Sequence, residues 1–179
     1  MDELLQKALD AGFTYAVPLN AATLELKTEV RDMCAADKCH AYGKNWTCPP
    51  QCGTLGECEA RIRRYQKGIL VQTVGKIESS LDWDEMMELE QSHKEHFHAF
   101  ADTLRQLYPD VLCLGTGGCR ICGKCAYPEP CRFPEKACSS MEGYGLLVSD
   151  VCKQNNLPYY HGAGTMAYTC CYLFSEERV

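Results

Sequence analysis

The chain has 179 residues, enough for one domain, and 46% of them are hydrophobic, enough for a real core. A net charge of -6 and an isoelectric point near 5.4, with no basic stripe, exclude a general nucleic-acid binder, which needs clustered lysine and arginine against phosphate. No apolar run approaches the roughly 20 residues that span a bilayer, and the 14 cysteines point to metal or redox chemistry.

Residues 2–11 read as a short helix with Leu4, Leu5, Ala8 and Leu9 on one face, closed by Gly12. This acidic start lacks the basic and apolar regions of a signal peptide, so a cytoplasmic location is expected. Thiols there stay reduced, which sets a disulfide framework aside. Phe13, Tyr15, Val17 and Leu19 alternate as in a strand, which Pro18 and Asn20 should break. Residues 23–33 read as either strand or helix and lead into CAADKCHAYGKNWTCPPQC. Cys34, Cys39, Cys48 and Cys52 stand within this turn-rich stretch, with Pro49-Pro50 stiffening the backbone between the last two. They form one candidate four-thiolate site, in which Cys58 could replace any member.

Residues 57–66 predict a helix whose Arg61, Arg63 and Arg64 form a solvated face. The apolar, β-branched run 68–77 predicts a buried strand. Asp82 and Glu85 stand at capping-box spacing and open the longest helix, to about Leu107, with Met86, Leu89, His93, Phe97, Phe100, Leu104 and Leu107 facing the core. His93 and His96 lie one turn apart, within reach of a shared ligand, yet the HExxH pattern of a zinc hydrolase is absent. Together with His98 they read as histidines at the edge of the core or on the surface. Residues 111–114 predict a strand. The strand, helix, strand order suggests a parallel pair, with the next loop at the carboxyl end of its second strand, where open α/β sheets hold ligands.

That loop is GGCRICGKCAYPEPCRFPEKAC. Cys119, Cys122 and Cys125 stand two residues apart twice over, and Cys131 follows after five more. A zinc site takes its thiolates as separate two-cysteine knuckles, so a third cysteine at the same interval is surplus to it. One C-x2-C-x2-C loop does reach three irons of a four-iron, four-sulfur (4Fe-4S) cluster, with a fourth cysteine arriving from further along. Here that fourth is Cys131, with Cys138 its rival. Arg120, Lys124, Arg132 and Lys136 against Glu129 and Glu135 give the loop a net charge of +2, suited to an anionic cluster.

Ser139 and Glu142 repeat the capping-box spacing, but Gly143 and Gly145 limit them to a short turn before a helix over 147–155. From Pro158 the sequence predicts a strand, a turn at His161 to Thr165 and a last strand to Phe174. HGAGT reads as a hairpin turn and only weakly as a phosphate cradle. Cys170 and Cys171 should point to opposite faces. Cys113, Cys152 and one of that pair read as small core hydrophobes.

Taken together, the CPPQC segment, the three-cysteine loop with its Cys-Arg-x-Pro, the SMEGYG turn and the closing HGAGTMAYT resemble the DUF2284 family of predicted metal-binding proteins. The resemblance covers nearly the whole chain. It implies Cys34, Cys39, Cys48 and Cys52, and Cys119, Cys122, Cys125 and Cys131, as metal ligands, and carries no reaction with it. Cys138 and Ser139 stand where relatives often have Arg-Pro.

The expected protein is a single α/β or α+β domain, with a small mixed sheet, flanking helices and a cysteine-rich lobe. Its expected function is electron transfer through one or two 4Fe-4S clusters to a redox partner protein, without nucleic acid or membrane. An electron carrier or redox accessory fits better than a stand-alone enzyme. The alternatives are an iron-sulfur enzyme with an open cluster iron, for which His161, Tyr159, Tyr160 and Arg132 are candidate proton donors or anion clamps, and a zinc-stabilised interaction module.

Overall fold

The computed structural model describes residues 1–78 and 83–175. Two of its strands have almost no polar face. β2 (Lys67–Lys76) is buried from Gly68 to Thr73, and β4 (Thr165–Phe174) from Thr169 to Phe174. A strand apolar on both sides belongs inside a sheet covered on both faces. The two pair antiparallel along their full length, from Lys67 opposite Phe174 to Lys76 opposite Thr165. Gly68 is fixed by this ladder, because a Cβ there would lie 2.0 Å from the Tyr172 carbonyl oxygen. β1 (Tyr15–Asn20) adds to the free edge of β2 and β3 (Val111–Leu114) to that of β4, giving the order β1-β2-β4-β3.

Three expectations change at this sheet. Pro18 does not break β1, since an edge strand tolerates a residue that cannot donate to the ladder. The segments before and after the long helix run in the same direction but are not neighbours. β4 enters between them and is antiparallel to both, so every ladder is antiparallel. The C-terminal hairpin does not form either: residues 158–164 make no strand, and β4 finds its partners far upstream. His161 instead stacks on Tyr15 and shares a hydrogen bond of 2.9 Å with the Gln72 side chain.

Helices cover both faces. On one side α1 (Asp2–Asp10) and α4 (Trp83–Leu107) press Leu4, Ala8, Phe97, Phe100 and Leu104 against Ile69, Val71 and Tyr172. The expected cap Asp82 lies outside the described residues. On the other side α3 (Leu55–Ile62) and α5 (Val148–Gln154) pack Ile62, Val151 and Cys152 against Leu70, Leu114 and Leu173. Cys170 belongs to the first core and Cys171 to the second, as strand alternation requires, and both are fully buried. Thr54 caps α3 in a full capping box with Glu57. α2 (Thr28–Ala35) lies beside the short turn Glu142–Tyr144 and carries Cys34 near its end.

Candidate metal centre

β3 delivers the chain to Gly115, whose N–H donates to the Ser139 carbonyl while its own carbonyl accepts from Met141, at 2.9 and 3.0 Å. Residues 116–138 are therefore an excursion whose two ends are pinned side by side at the sheet edge. Gly117 and Gly123 turn it with positive φ of 62° and 66°. Cys119, Cys122, Cys125 and Cys131, all partly buried, line a single small cavity with Asn45, Trp46, Ile121 and Phe133. Burial pushes the Cys119 thiol up, against a hydrogen bond from the Ile121 N–H to its sulfur.

The first cysteine segment docks onto this loop. Asn45 donates to the Cys119 carbonyl at 3.3 Å, and the Trp46 indole donates to the Glu129 carbonyl at 2.8 Å. Trp46 also packs edge-on against Tyr127, whose hydroxyl accepts from Gln51 at 3.1 Å. Cys48 backs onto the loop, its sulfur 3.6 Å from the place a Cβ on Gly118 would occupy. Burial, with Cys39, Cys34 and Cys119 nearby, pushes the Cys48 thiol up to about 11. Cys34 is raised by its own burial and by Glu142, whose carbonyl lies 3.8 Å from its sulfur. Cys39 is exposed.

Cys52 turns elsewhere. Its thiol donates to the Gly143 carbonyl at 3.4 Å and pairs with Cys58. The Cys52 contact, with Arg31 and Arg61 beside it, pulls the Cys58 thiol down against its burial. Of the eight expected ligands, four thus gather in the loop cavity. Cys34, Cys39 and Cys48 influence one another beside it, while Cys52 sits with Cys58. Among the described residues, no three cysteine, histidine or carboxylate side chains converge on one point as around a single ion.

Sequence pattern did not single out the residues that hold this lobe. Arg31 donates to the carbonyls of Gly53 and Gly143 at 2.8 and 2.9 Å, with the Cys52 and Cys58 sulfurs at 3.8 and 3.9 Å. Arg61 is not on a purely solvated face, for it donates to the Cys52 carbonyl and to the Tyr144 hydroxyl. Arg63 and Arg64 do form surface pairs, with Glu59 and Asp110. His93 is a core residue. Its Nδ1 lies 2.8 Å from the Thr73 hydroxyl, and burial lowers its pKa to about 3.

Against known families, residues 17–174 match the one described as "Predicted metal-binding protein (DUF2284)". The chain belongs to the DUF2284 family. That match spans both cysteine segments and every strand but the first two residues of β1. No curated protein and no solved structure matches the chain. Among the described residues, no helix is long and apolar enough to cross a membrane.

Proposed function

We propose that this DUF2284 protein holds a 4Fe-4S cluster in the 117–138 loop and passes electrons to a partner protein. The observation that carries the proposal is that Cys119, Cys122, Cys125 and Cys131, delivered by one short loop, line one small cavity. Three thiols at two-residue intervals in one loop suit three irons of one cluster, whereas a zinc site takes its thiolates as separate two-cysteine knuckles.

Bound there, the cluster would supply one-electron oxidation and reduction. The chain's own part is to exclude water, with Ile121, Trp46 and Phe133 around the cavity, and to aim the Ile121 N–H at the Cys119 sulfur. Arg120, Lys124, Arg132 and Lys136 offset the negative charge of four thiolates. Phe133 and Trp46 reach the surface at 39% and 36% exposure, on the lobe that also carries the exposed Arg120, Lys124, Arg132 and Lys136. An apolar centre with a basic rim suits an acidic electron-transfer partner, held loosely enough to leave.

A second reading rests on Cys52. With its thiol engaged by Cys58 and Gly143, the upstream group offers three thiols, Cys34, Cys39 and Cys48. Three thiolates suit a cluster with one iron open to a small substrate, and so an enzyme. Low-temperature electron paramagnetic resonance of the anaerobic, dithionite-reduced protein tests the first proposal. A reduced-cluster signal that Cys122→Ser abolishes supports it. Zinc without sulfide at the site would replace it with a structural module.

A further inference from the structure

We propose that Cys113 and Cys138 form a thiol-disulfide exchange site for low-molecular-weight disulfides of the glutathione type. The proposal rests on the reading above in which Cys131, and not its rival Cys138, is the fourth thiol of the loop, and Cys131 lines the same cavity as the pair. Gly115 and Ser140 form a parallel bridge at the sheet edge. Two residues back along each segment stand Cys113, in the core between α4 and the sheet, and Cys138, which packs against that same core. The two thiols lie close enough for each to perturb the other, and the Cys138 thiol also reaches the Lys136 carbonyl at 3.3 Å.

The surroundings sort the pair into two roles. Arg105 brings its Nη2 to 3.6 Å from the Cys138 sulfur, and Asp102 orients Arg105 from 2.9 Å. The Cys113 contact and Arg105 draw the Cys138 thiol down, while the same contact and burial hold Cys113 up. Cys138 is the partly exposed member and Cys113 the buried one. Both line an open cavity of about 450 Å³ that also presents Arg61, Arg105 and Tyr144, room for a small anionic disulfide.

The chemistry balances without another reactant. The Cys138 thiolate attacks one sulfur of the disulfide, its S–S bond breaks, and the first thiolate leaves. The Cys113 sulfur then attacks Cys138 in the mixed disulfide, and its proton goes with the second leaving thiol. The protein dithiol is oxidised by two electrons and one glutathione disulfide is reduced to two glutathiones.

The full-length protein, purified anaerobically, would be incubated with glutathione disulfide, alkylated and mapped by mass spectrometry. The expected product is a Cys113–Cys138 disulfide in the wild type. Cys113→Ser should instead trap one glutathione on Cys138, and Cys138→Ser should react at least tenfold more slowly and keep its full iron and sulfide content. Bridging of Cys138 to Cys119 or Cys131, or loss of iron in Cys138→Ser, would overturn the proposal by making Cys138 part of the metal centre. Glutathione spread over the other cysteines would overturn it as well. Wild-type mapping decides the point even where a variant folds poorly.

Discussion

Asn45 ties the two cysteine segments together. Its buried amide donates to the Cys119 carbonyl at 3.3 Å while its Oδ1 accepts from the Thr47 N–H and hydroxyl at 3.0 Å each. Asn45→Leu would leave those groups without a partner in a buried place. The expected cost is about 2–3 kcal/mol, with faster loss of metal to a chelator. Thermal unfolding and the rate of chelator-induced bleaching measure the two effects. An unchanged bleaching rate would show that the docking of residues 45–47 does not shape the metal site.

Gly68→Ala should be among the most damaging substitutions in the chain. The new methyl group would meet the Tyr172 backbone, which cannot swing aside as a side chain would, in the longest ladder of the sheet. A loss of about 3 kcal/mol or more is expected, seen as insoluble protein or a much lower denaturant midpoint. Gly43→Ala is the comparison. Nothing stands within 4 Å of that position, and only its positive φ of 67° weighs against the methyl group.

Stability should fall as the solution is acidified, through His93. Burial lowers its folded-state pKa to about 3 from an ordinary 6.5, with His96 and Lys94 adding to the effect. The unfolded chain therefore binds the extra proton first, and each pH unit below 6.5 removes about 1.4 kcal/mol. His98 is lowered by burial too and acts in the same direction. Between pH 6.5 and 5, above most carboxylate titration, His93→Gln should lose about 2 kcal/mol less than the wild type. Denaturant midpoints at several pH values decide it, and parallel curves for the two proteins would sink the idea.

Long periodic segments were legible in the sequence, and pairings were not. α4 and β2 stand close to their expected bounds because apolar periodicity over ten residues or more is a strong signal. β4 was legible as a strand, but its partners Leu70 and Cys113 lie some sixty residues or more away, and no local pattern encodes that choice. The same limit applies at the candidate metal site. Spacing marked Cys119, Cys122, Cys125 and Cys131 as candidates, and one short loop brings them to one cavity. It could not show that Cys52 turns to Cys58, because that depends on where Arg31 and Gly143 arrive from other elements. Asn45 and Trp46 were equally hidden. They act through single hydrogen bonds to carbonyls far along the chain, which leave no repeat to read.

The central claim is that the four thiols of the 117–138 loop hold an iron-sulfur cluster. Iron, zinc and acid-labile sulfide would be measured on anaerobically purified protein, with the visible spectrum before and after dithionite. About four irons and four sulfides from this loop are predicted, or about eight where the upstream group also loads, with broad absorption that bleaches on reduction and falls by about four irons in Cys122→Ser. Zinc without sulfide, in a colourless protein from a fully anaerobic preparation, would contradict the claim.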